Sequence, residues 1–132
     1  MIGIDTNVLV RLVAPDDEHQ NGMARAFFAE RTPADPAFVG SVVLAETIWV
    51  LRRRLGYSRD AVEGLVRSLL SSDDFVLEHG DELAELLDKP ASERSQLADH
   101  LIAWSAEKMG CTRTVTFDRR AARLIPSMEL LA

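Results

Sequence analysis

The sequence predicts an α/β fold, with a mostly parallel central sheet of four to five short strands and helices packed against it. Short apolar segments alternate with longer amphipathic ones along the chain. Most of the short segments are apolar, and the one over 112–117 is rich in Thr and Val. Short strands separated by helices are typical of a mostly parallel sheet. The chain has 132 residues, 47% of them hydrophobic, which suits one domain with its own core. We therefore expect a single domain over residues 1–132.

The first half of the chain alternates strand and helix. We predict four elements in order: a short buried strand over 2–5, a helix with one apolar side over 6–12, a helix over 20–30 and a strand over 37–40. Ser41 is predicted to cap the next helix. The apolar residues of that helix recur at helical spacing: Leu44, Ile48, Leu51 and Leu55.

The second half continues the alternation, and Ser58 is predicted to cap its first helix. The later elements are, in order, a strand over 75–77, a short acidic helix over 81–87, a helix over 95–109, a strand over 112–117, a helix over 119–124 and an edge strand over 128–131. Gly110 is predicted to end the long helix, because glycine adopts the left-handed C′ conformation without strain. Prolines such as Pro15 mark predicted breaks between elements.

Several classes of protein are excluded by composition. The longest uncharged apolar run holds about eight residues, far below the roughly 20 that a membrane span needs. The first residues lack the basic segment of a secretory signal. The single cysteine, Cys111, excludes an internal disulfide and fits the reducing cytoplasm. It directly follows a helix end and is predicted to be packed rather than nucleophilic.

The net charge of −6 argues at first against a nucleic-acid partner, since phosphate contacts come from Lys and Arg. Residues 73–93, called the acidic segment below, hold eight of the 21 acids and a single base, Lys89. The rest of the chain carries 13 acids and 14 bases. The acidity is therefore local and does not exclude RNA.

Two aspartates follow predicted strands and precede predicted helices. Asp5 ends the first strand, and Asp118 stands in the same position after the strand over 112–117. Each could be an ordinary helix cap, since Asp caps well. Parallel sheets, however, bind ligands outside the carboxyl ends of their strands. Two acids at such ends therefore also indicate a site.

Two further acids lie inside apolar helical segments. Glu46 is the only charge in the stretch over 42–49, and Asp99 lies among the apolar residues 97–103. Either could lie on the rim of its helix, exposed or paired with an arginine. Burial of either would be unfavourable unless the acid is paired or bound to a metal ion.

Convergence of these four acids would require either that some of them be protonated or that a cation be bound. Two carboxylates about 4 Å apart repel by about 4 kcal/mol at an effective dielectric near 20. Ligands that are all oxygen favour Mg²⁺ or Mn²⁺ over zinc, and the sequence has no His/Cys zinc spacing. His100 is predicted to be a surface or partner-contacting residue. A metal held by carboxylates suits hydrolysis of phosphodiesters, because it lowers the pKa of bound water and stabilises the leaving oxygen.

The sequence resembles the PIN-domain ribonucleases, and among them the small VapC-type toxins of bacterial toxin–antitoxin pairs. The resemblance spans residue 2 to about residue 124. It depends on four motifs in order: Ile4-Asp5-Thr6-Asn7-Val8-Leu9, Ser41-Val42-Val43-Leu44-Ala45-Glu46, Ala98-Asp99-His100-Leu101-Ile102-Ala103 and Thr116-Phe117-Asp118-Arg119. It implies a Rossmann-like three-layer sandwich.

The resemblance also implies a Mg²⁺-dependent endoribonuclease, in which Mn²⁺ can substitute. Asp5 and Asp99 would be the principal metal ligands, and Glu46 and Asp118 would complete the acidic site. The orienting or substrate-contacting residues would be Asn7, Ser41, Thr116 and Arg119. Arg120 and Arg123, near Asp118, are further candidates for contact with RNA. A homodimer and a cognate VapB-type antitoxin are the implied protein partners.

Two other functions are considered. A non-catalytic binding module would act through a partner surface and would tolerate loss of an acid. A phospho-acceptor domain would use Asp5 as its nucleophile, but position 7 is Asn where one such family has a second Asp. Arg52, Arg53 and Arg54 fit phosphate, an acidic antitoxin or solvent equally well. The apolar residues around Val42 and Trp49 fit either a dimer interface or the core.

Overall fold

The computed structural model describes residues 1–14 and 18–131, so the predicted break at Pro15 lies outside the described residues. The chain divides into two compact units, Met1–Gly80 and Asp81–Ala132. Both contain helices and parallel strands, which confirms the predicted α/β class. No helix in the described ranges is long and apolar enough to cross a membrane.

The first unit is built around a three-stranded sheet. Its elements are β1 (Ile2–Gly3), α1 (Thr6–Val13), α2 (Glu18–Ala29), β2 (Ala37–Val39), α3 (Ser41–Trp49), which continues into the π-helical turn Val50–Arg54, α4 (Arg59–Ser71) and β3 (Phe75–Leu77). The strand order is β1-β2-β3, and both pairings are parallel. Ala37 pairs with Ile2 on one side and Phe75 on the other. All three strands therefore present their carboxyl ends at the same edge.

The second unit contains a shorter sheet. Its elements are α5 (Gly80–Leu87), the 3₁₀ turn Ala91–Glu93, α6 (Leu97–Lys108), β4 (Thr114–Thr116), α7 (Arg119–Leu124) and β5 (Met128–Leu130). The strands β4 and β5 pair in parallel, with Thr114 opposite Met128. A core cluster of small and large apolar residues joins α6, α7 and β5: Ala103, Ala121, Ile125 and Met128. The predicted last strand is confirmed.

Two predicted helix ends are confirmed in atomic detail. The Ser58 hydroxyl accepts a hydrogen bond from Ala61 N at 3.1 Å and caps α4. Gly110 has φ +90°, and the two bonds Gly110 N to Glu107 O and Cys111 N to Ala106 O form a Schellman motif. The prediction that Cys111 is packed is wrong, because this position just past the helix end leaves the thiol exposed.

The prediction that Ser41 caps α3 is wrong. Gly40 occupies the N-cap position, and Ser41 is the first helical residue. The cap comes from the neighbouring strand, because Glu78 directly follows β3 and its Oε1 accepts a hydrogen bond from Ser41 N at 2.8 Å. A contact between residues 37 positions apart is not visible in local sequence patterns.

Asp35 ties the start of the chain to the loop after α2. Its Oδ1 accepts from the amino group of Met1 at 2.8 Å, and its Oδ2 accepts from Arg31 Nη1 at 3.0 Å. The Arg31 guanidinium also lies 4.4 Å from the centre of the Phe27 ring. The hydrogen bond from the Met1 amino group, together with the charges of that group and of Arg31, lowers the pKa of Asp35.

Asp35→Asn should lower the free energy of unfolding near pH 7, and the difference from wild type should close as the pH falls. The folded-state pKa of Asp35 is lowered, so its carboxylate stabilises the fold above the unfolded-state pKa of about 4. That contribution is lost as the pH falls through the folded-state pKa. Urea unfolding between about pH 7 and pH 2 measures the difference. Asp88→Asn changes an exposed acid and is the control. If the difference in free energy of unfolding between Asp35→Asn and wild type did not change with pH, the carboxylate of Asp35 would not have the proposed stabilising role.

Candidate active site

Asp5 combines two roles at the end of β1. Its backbone is extended (φ −93°, ψ 175°), and its Oδ1 accepts a hydrogen bond from Val8 N at 3.1 Å. Asp5 is therefore the N-cap of α1. The bond engages one oxygen only, and Oδ2 of this exposed side chain has no hydrogen-bond partner among the described residues. The helix cap fixes the carboxylate and leaves an oxygen for another ligand.

Asp118 repeats this arrangement at the end of β4. Its Oδ1 accepts from Ala121 N at 2.9 Å and caps α7. Its backbone N donates to the hydroxyl of Thr116, the last residue of β4, at 3.0 Å. Thr116 thus orients the residue that carries the carboxylate.

Glu46 lies in the second turn of α3 and is exposed. Its Oε1 accepts a hydrogen bond from the hydroxyl of Thr6, the residue after Asp5. This bond joins the first helical residue of α1 to α3 and places Asp5 and Glu46 on connected elements of the first unit. The sequence patterns did not single out Thr6, although it lies in the same motif as Asp5.

Asp99 lies in the first turn of α6 and is held by Ser95. The Ser95 hydroxyl donates to Asp99 Oδ2 at 2.6 Å, and Ser95 is 1% exposed. Ser95 was predicted to begin the helix, but α6 begins at Leu97 and Ser95 precedes its N-cap. A serine four residues before the aspartate is the sequence signal for this contact.

The prediction that His100 is a surface or partner-contacting residue is wrong. His100 is 6% exposed, and its Nε2 accepts a hydrogen bond from Ser95 N at 3.2 Å. Its ring lies 5.8 Å from that of Trp104. The imidazole therefore belongs to the structure that holds the start of α6.

The four acids share one electrostatic feature. Each side chain accepts one hydrogen bond, and none forms an ion pair with another described residue: Asp5, Glu46, Asp99 and Asp118. An arginine that satisfies Glu46 or Asp99 is therefore not found among the described residues. Within the same ranges, no group of three or more His, Cys, Asp or Glu side chains has the arrangement of a metal site. Carboxylate oxygens are donors that Mg²⁺ and Mn²⁺ prefer, so the chemistry of each acid taken singly suits a hard divalent ion.

The other predicted site residues differ in their surroundings. Asn7 is exposed and, with Asp5, lines a cavity of about 490 Å³ in the first unit. The Ser41 hydroxyl oxygen is buried and has no hydrogen-bond partner in the described part of the chain. Arg119 is exposed and makes no hydrogen bond or ion pair there. Arg120, by contrast, bonds to backbone carbonyls of its own unit.

A smaller cavity of about 280 Å³ lies in the second unit. The acidic segment contributes Glu82, Glu85 and Glu93 to its walls, and Glu107 of α6 adds a fourth carboxylate. Lys89 is the only base of the acidic segment and also lines the cavity. Four of the acids that give the chain its negative net charge therefore line this cavity.

Comparison with known proteins identifies a family and a relative for this sequence. The family model described as "PIN domain" matches residues 2–125, a range that contains all four acids. The chain is also similar to a protein named "VapC ribonuclease" from Aquifex aeolicus (strain VF5), with 23% identity over 121 residues. The alignment covers 92% of this chain and 90% of that relative. No solved structure matches.

Asp118→Ala should lower the free energy of unfolding by about 1 kcal/mol, whereas Asp118→Asn should change it by only a few tenths. Alanine cannot accept the bond from Ala121 N, but asparagine is an equally good N-cap. Urea unfolding measures the free energy of unfolding of both variants. Ser58→Ala, which removes the cap of α4, is the matched control. Equal destabilisation by Ala and Asn would show that the charge of Asp118, rather than its cap, stabilises α7.

Proposed function

The chain belongs to the PIN-domain family, and on that premise we propose that it is a metal-dependent endoribonuclease, the toxin of a toxin–antitoxin pair. Its likeness to the VapC ribonuclease over nine-tenths of both chains supports the proposal. The family model spans both compact units, which favours one PIN domain over residues 1–132. The proposed RNA substrate and the single free cysteine fit a cytoplasmic location.

The observation that carries the proposal is the set of four carboxylates that no arginine or lysine neutralises. Brought together, four such charges would repel one another, and no described base is paired with any of them, so a bound cation would offset the repulsion. Two of the four cap helices with one oxygen and keep the other available.

We propose that Asp5 and Asp99 are the principal ligands of Mg²⁺, and that Glu46 and Asp118 complete the site. When bound, Mg²⁺ lowers the pKa of an attacking water and stabilises negative charge on the leaving oxygen of a phosphodiester. Mn²⁺ can substitute, since its ligand preference is similar. The hydroxyls of Thr6 and Ser95 hold the carboxylates of Glu46 and Asp99 in place.

The remaining residues of the site have supporting roles in this proposal. The Thr116 hydroxyl orients Asp118 by accepting a hydrogen bond from the Asp118 backbone N–H. Asn7, which is exposed next to Asp5, is proposed to orient the scissile phosphate. Ser41, whose hydroxyl oxygen is buried at the start of α3, is proposed to orient the acids. Arg119 is exposed and unpaired within the described chain, and is proposed to contact an RNA phosphate.

We further propose two protein partners. A VapB-type antitoxin is the expected inhibitor, on the basis of the likeness to a VapC protein. The second partner is another copy of this chain. Val42 is 80% exposed and Trp49 is 56% exposed on α3, so the core does not account for them. Large apolar residues at i and i+7 on one helix face suit a homodimer interface.

Asp5→Asn should reduce RNA cleavage by about 100-fold or more while the free energy of unfolding changes by only a few tenths of a kcal/mol. Asparagine keeps the cap on α1 but removes the charge that a metal ligand needs. Cleavage of total bacterial RNA, followed by sequencing of the new ends, measures activity. Asp88→Asn removes an exposed acid and should cut at the wild-type rate. Wild-type cleavage by Asp5→Asn would refute the assignment.

The chelator EDTA tests the metal in the same assay. Cleavage should stop in EDTA and return when excess Mg²⁺ or Mn²⁺ is added. Calorimetric titration with Mn²⁺ gives a second readout, in which Asp5→Asn and Asp99→Asn should both bind more weakly than wild type. Cleavage that persists in EDTA would refute metal dependence. Failure of the wild type both to bind Mn²⁺ and to cleave RNA would favour the non-catalytic binding module.

Val42→Asp and Trp49→Lys should each shift the protein from dimer to monomer at about 10 µM. A charge in the centre of an apolar interface is unfavourable because it loses its hydration. Analytical ultracentrifugation measures the mass. Met109→Lys changes another exposed apolar residue, at the end of α6, and should leave the dimer intact. A wild-type protein that is monomeric would contradict the proposed interface.

A further inference from the structure

Arg120 differs from the other two arginines of α7. Arg119 and Arg123 are exposed and make no hydrogen bond or ion pair with other described residues. The Arg120 guanidinium instead donates from Nη2 to Arg94 O at 3.0 Å and to Ala91 O at 3.4 Å. These contacts engage the guanidinium with the backbone of its own unit.

Both carbonyls belong to the turn that leads into α6. Ala91 begins the 3₁₀ turn Ala91–Glu93, and Arg94 follows that turn. Arg94 is 4% exposed, and its Nε donates to Lys89 O at 2.9 Å. This buried side chain stabilises the turn by a hydrogen bond to a residue that precedes it. Arg120 binds the same turn from α7.

The bond to Arg94 O has a direct consequence for Ser95. The Arg94 carbonyl and the Ser95 N–H are the two ends of one planar peptide group. The carbonyl accepts from Arg120, and the N–H donates to His100 Nε2 at 3.2 Å. The orientation of this peptide is therefore fixed from both ends. The Ser95 hydroxyl, which donates to Asp99 at 2.6 Å, is carried by the same residue.

We propose that Arg120 is a positioning residue for Asp99. Its guanidinium holds the Arg94–Ser95 peptide, this peptide places the Ser95 hydroxyl, and the hydroxyl sets the carboxylate of Asp99. The inference deepens the proposed function and depends on it for the role of Asp99. It also replaces the expectation that Arg120 contacts RNA.

The same turn of α7 links Arg120 to the second acid of this unit. Asp118 caps α7 by accepting from Ala121 N, the residue directly after Arg120. The planar guanidinium of Arg120 donates to two carbonyl oxygens at once. The ammonium group of a lysine, on a flexible side chain, fits this geometry less well. Arginine at this position therefore connects the helix that Asp118 caps to the turn that precedes Asp99.

The first test follows the amide of Ser95 by hydrogen exchange in metal-free protein, detected by NMR. In Arg120→Ala the Ser95 amide should exchange about tenfold faster than in wild type. The Leu101 amide, in the middle of α6, serves as internal reference, because general destabilisation would accelerate both. Arg119→Ala and Arg123→Ala should leave Ser95 unchanged. Unchanged exchange of Ser95 in Arg120→Ala would overturn the inference.

The second test separates positioning from contact with RNA. Removing a residue that orients a metal ligand typically weakens metal binding by about 10- to 100-fold, so Arg120→Ala should bind Mn²⁺ at least about tenfold more weakly. Arg120→Lys should be intermediate. Binding of a short single-stranded RNA in EDTA should be unchanged in Arg120→Ala. Arg119→Ala should bind this RNA more weakly than wild type. The slope of its logarithmic binding constant against the logarithm of the salt concentration should be smaller by about one, because one phosphate contact is lost.

The outcomes distinguish this inference from the proposed function. If wild type binds Mn²⁺ and cleaves RNA, and Arg120→Ala has the same Mn²⁺ affinity and the same rate of cleavage, the inference is overturned and the proposed function stands. If Arg120→Ala loses RNA affinity as Arg119→Ala does, Arg120 is a phosphate contact and the inference is again overturned. If wild type binds no Mn²⁺, the proposed function fails, whereas selective release of the Ser95 amide still supports the positioning of Asp99.

Discussion

A carboxylate that caps a helix directly after a parallel strand is the interaction on which the candidate site depends. The first N–H groups of a helix have no partner within it, and one oxygen of Asp5 or Asp118 accepts from them. The cap fixes the position of the side chain without using both oxygens. The second oxygen of each residue is thereby held at the carboxyl end of its own sheet, beside β1 for Asp5 and beside β4 for Asp118. Stability and the proposed chemistry thus use different atoms of the same residue.

The other two acids are held by hydroxyl groups rather than by helix ends. Thr6 donates to Glu46 and Ser95 donates to Asp99, so each carboxylate accepts its hydrogen bond from a neutral donor. A lysine or arginine in either place would neutralise the acid and compete with a cation. The proposed metal ion accounts for this choice of donor. Basic residues are used elsewhere in the fold, as Arg31 is at Asp35 and Arg94 is in the turn before α6.

Local rules predicted most of the elements. The strands β2 and β3, the helix α7 and the caps at Ser58, Asp5 and Asp118 all follow from short-range patterns of apolar, turn and capping residues. Patterns of this kind could not show which face of α3 is covered, and Trp49 is in fact more than half exposed. Nor could they place His100, which is 6% exposed and lines the cavity of the second unit together with Leu124 and Ile125.

The sequence by itself determined the α/β class and the order of the elements, and it predicted four candidate acids, because each of these depends on residues close together in the chain. The tertiary structure decided which groups hold those acids. It placed Thr6 against Glu46, Glu78 at the start of α3, and Arg120 on the turn that carries Ser95. The physical reason is that these hydrogen bonds join residues 26 to 40 positions apart. Only the packing of complete elements brings such residues together.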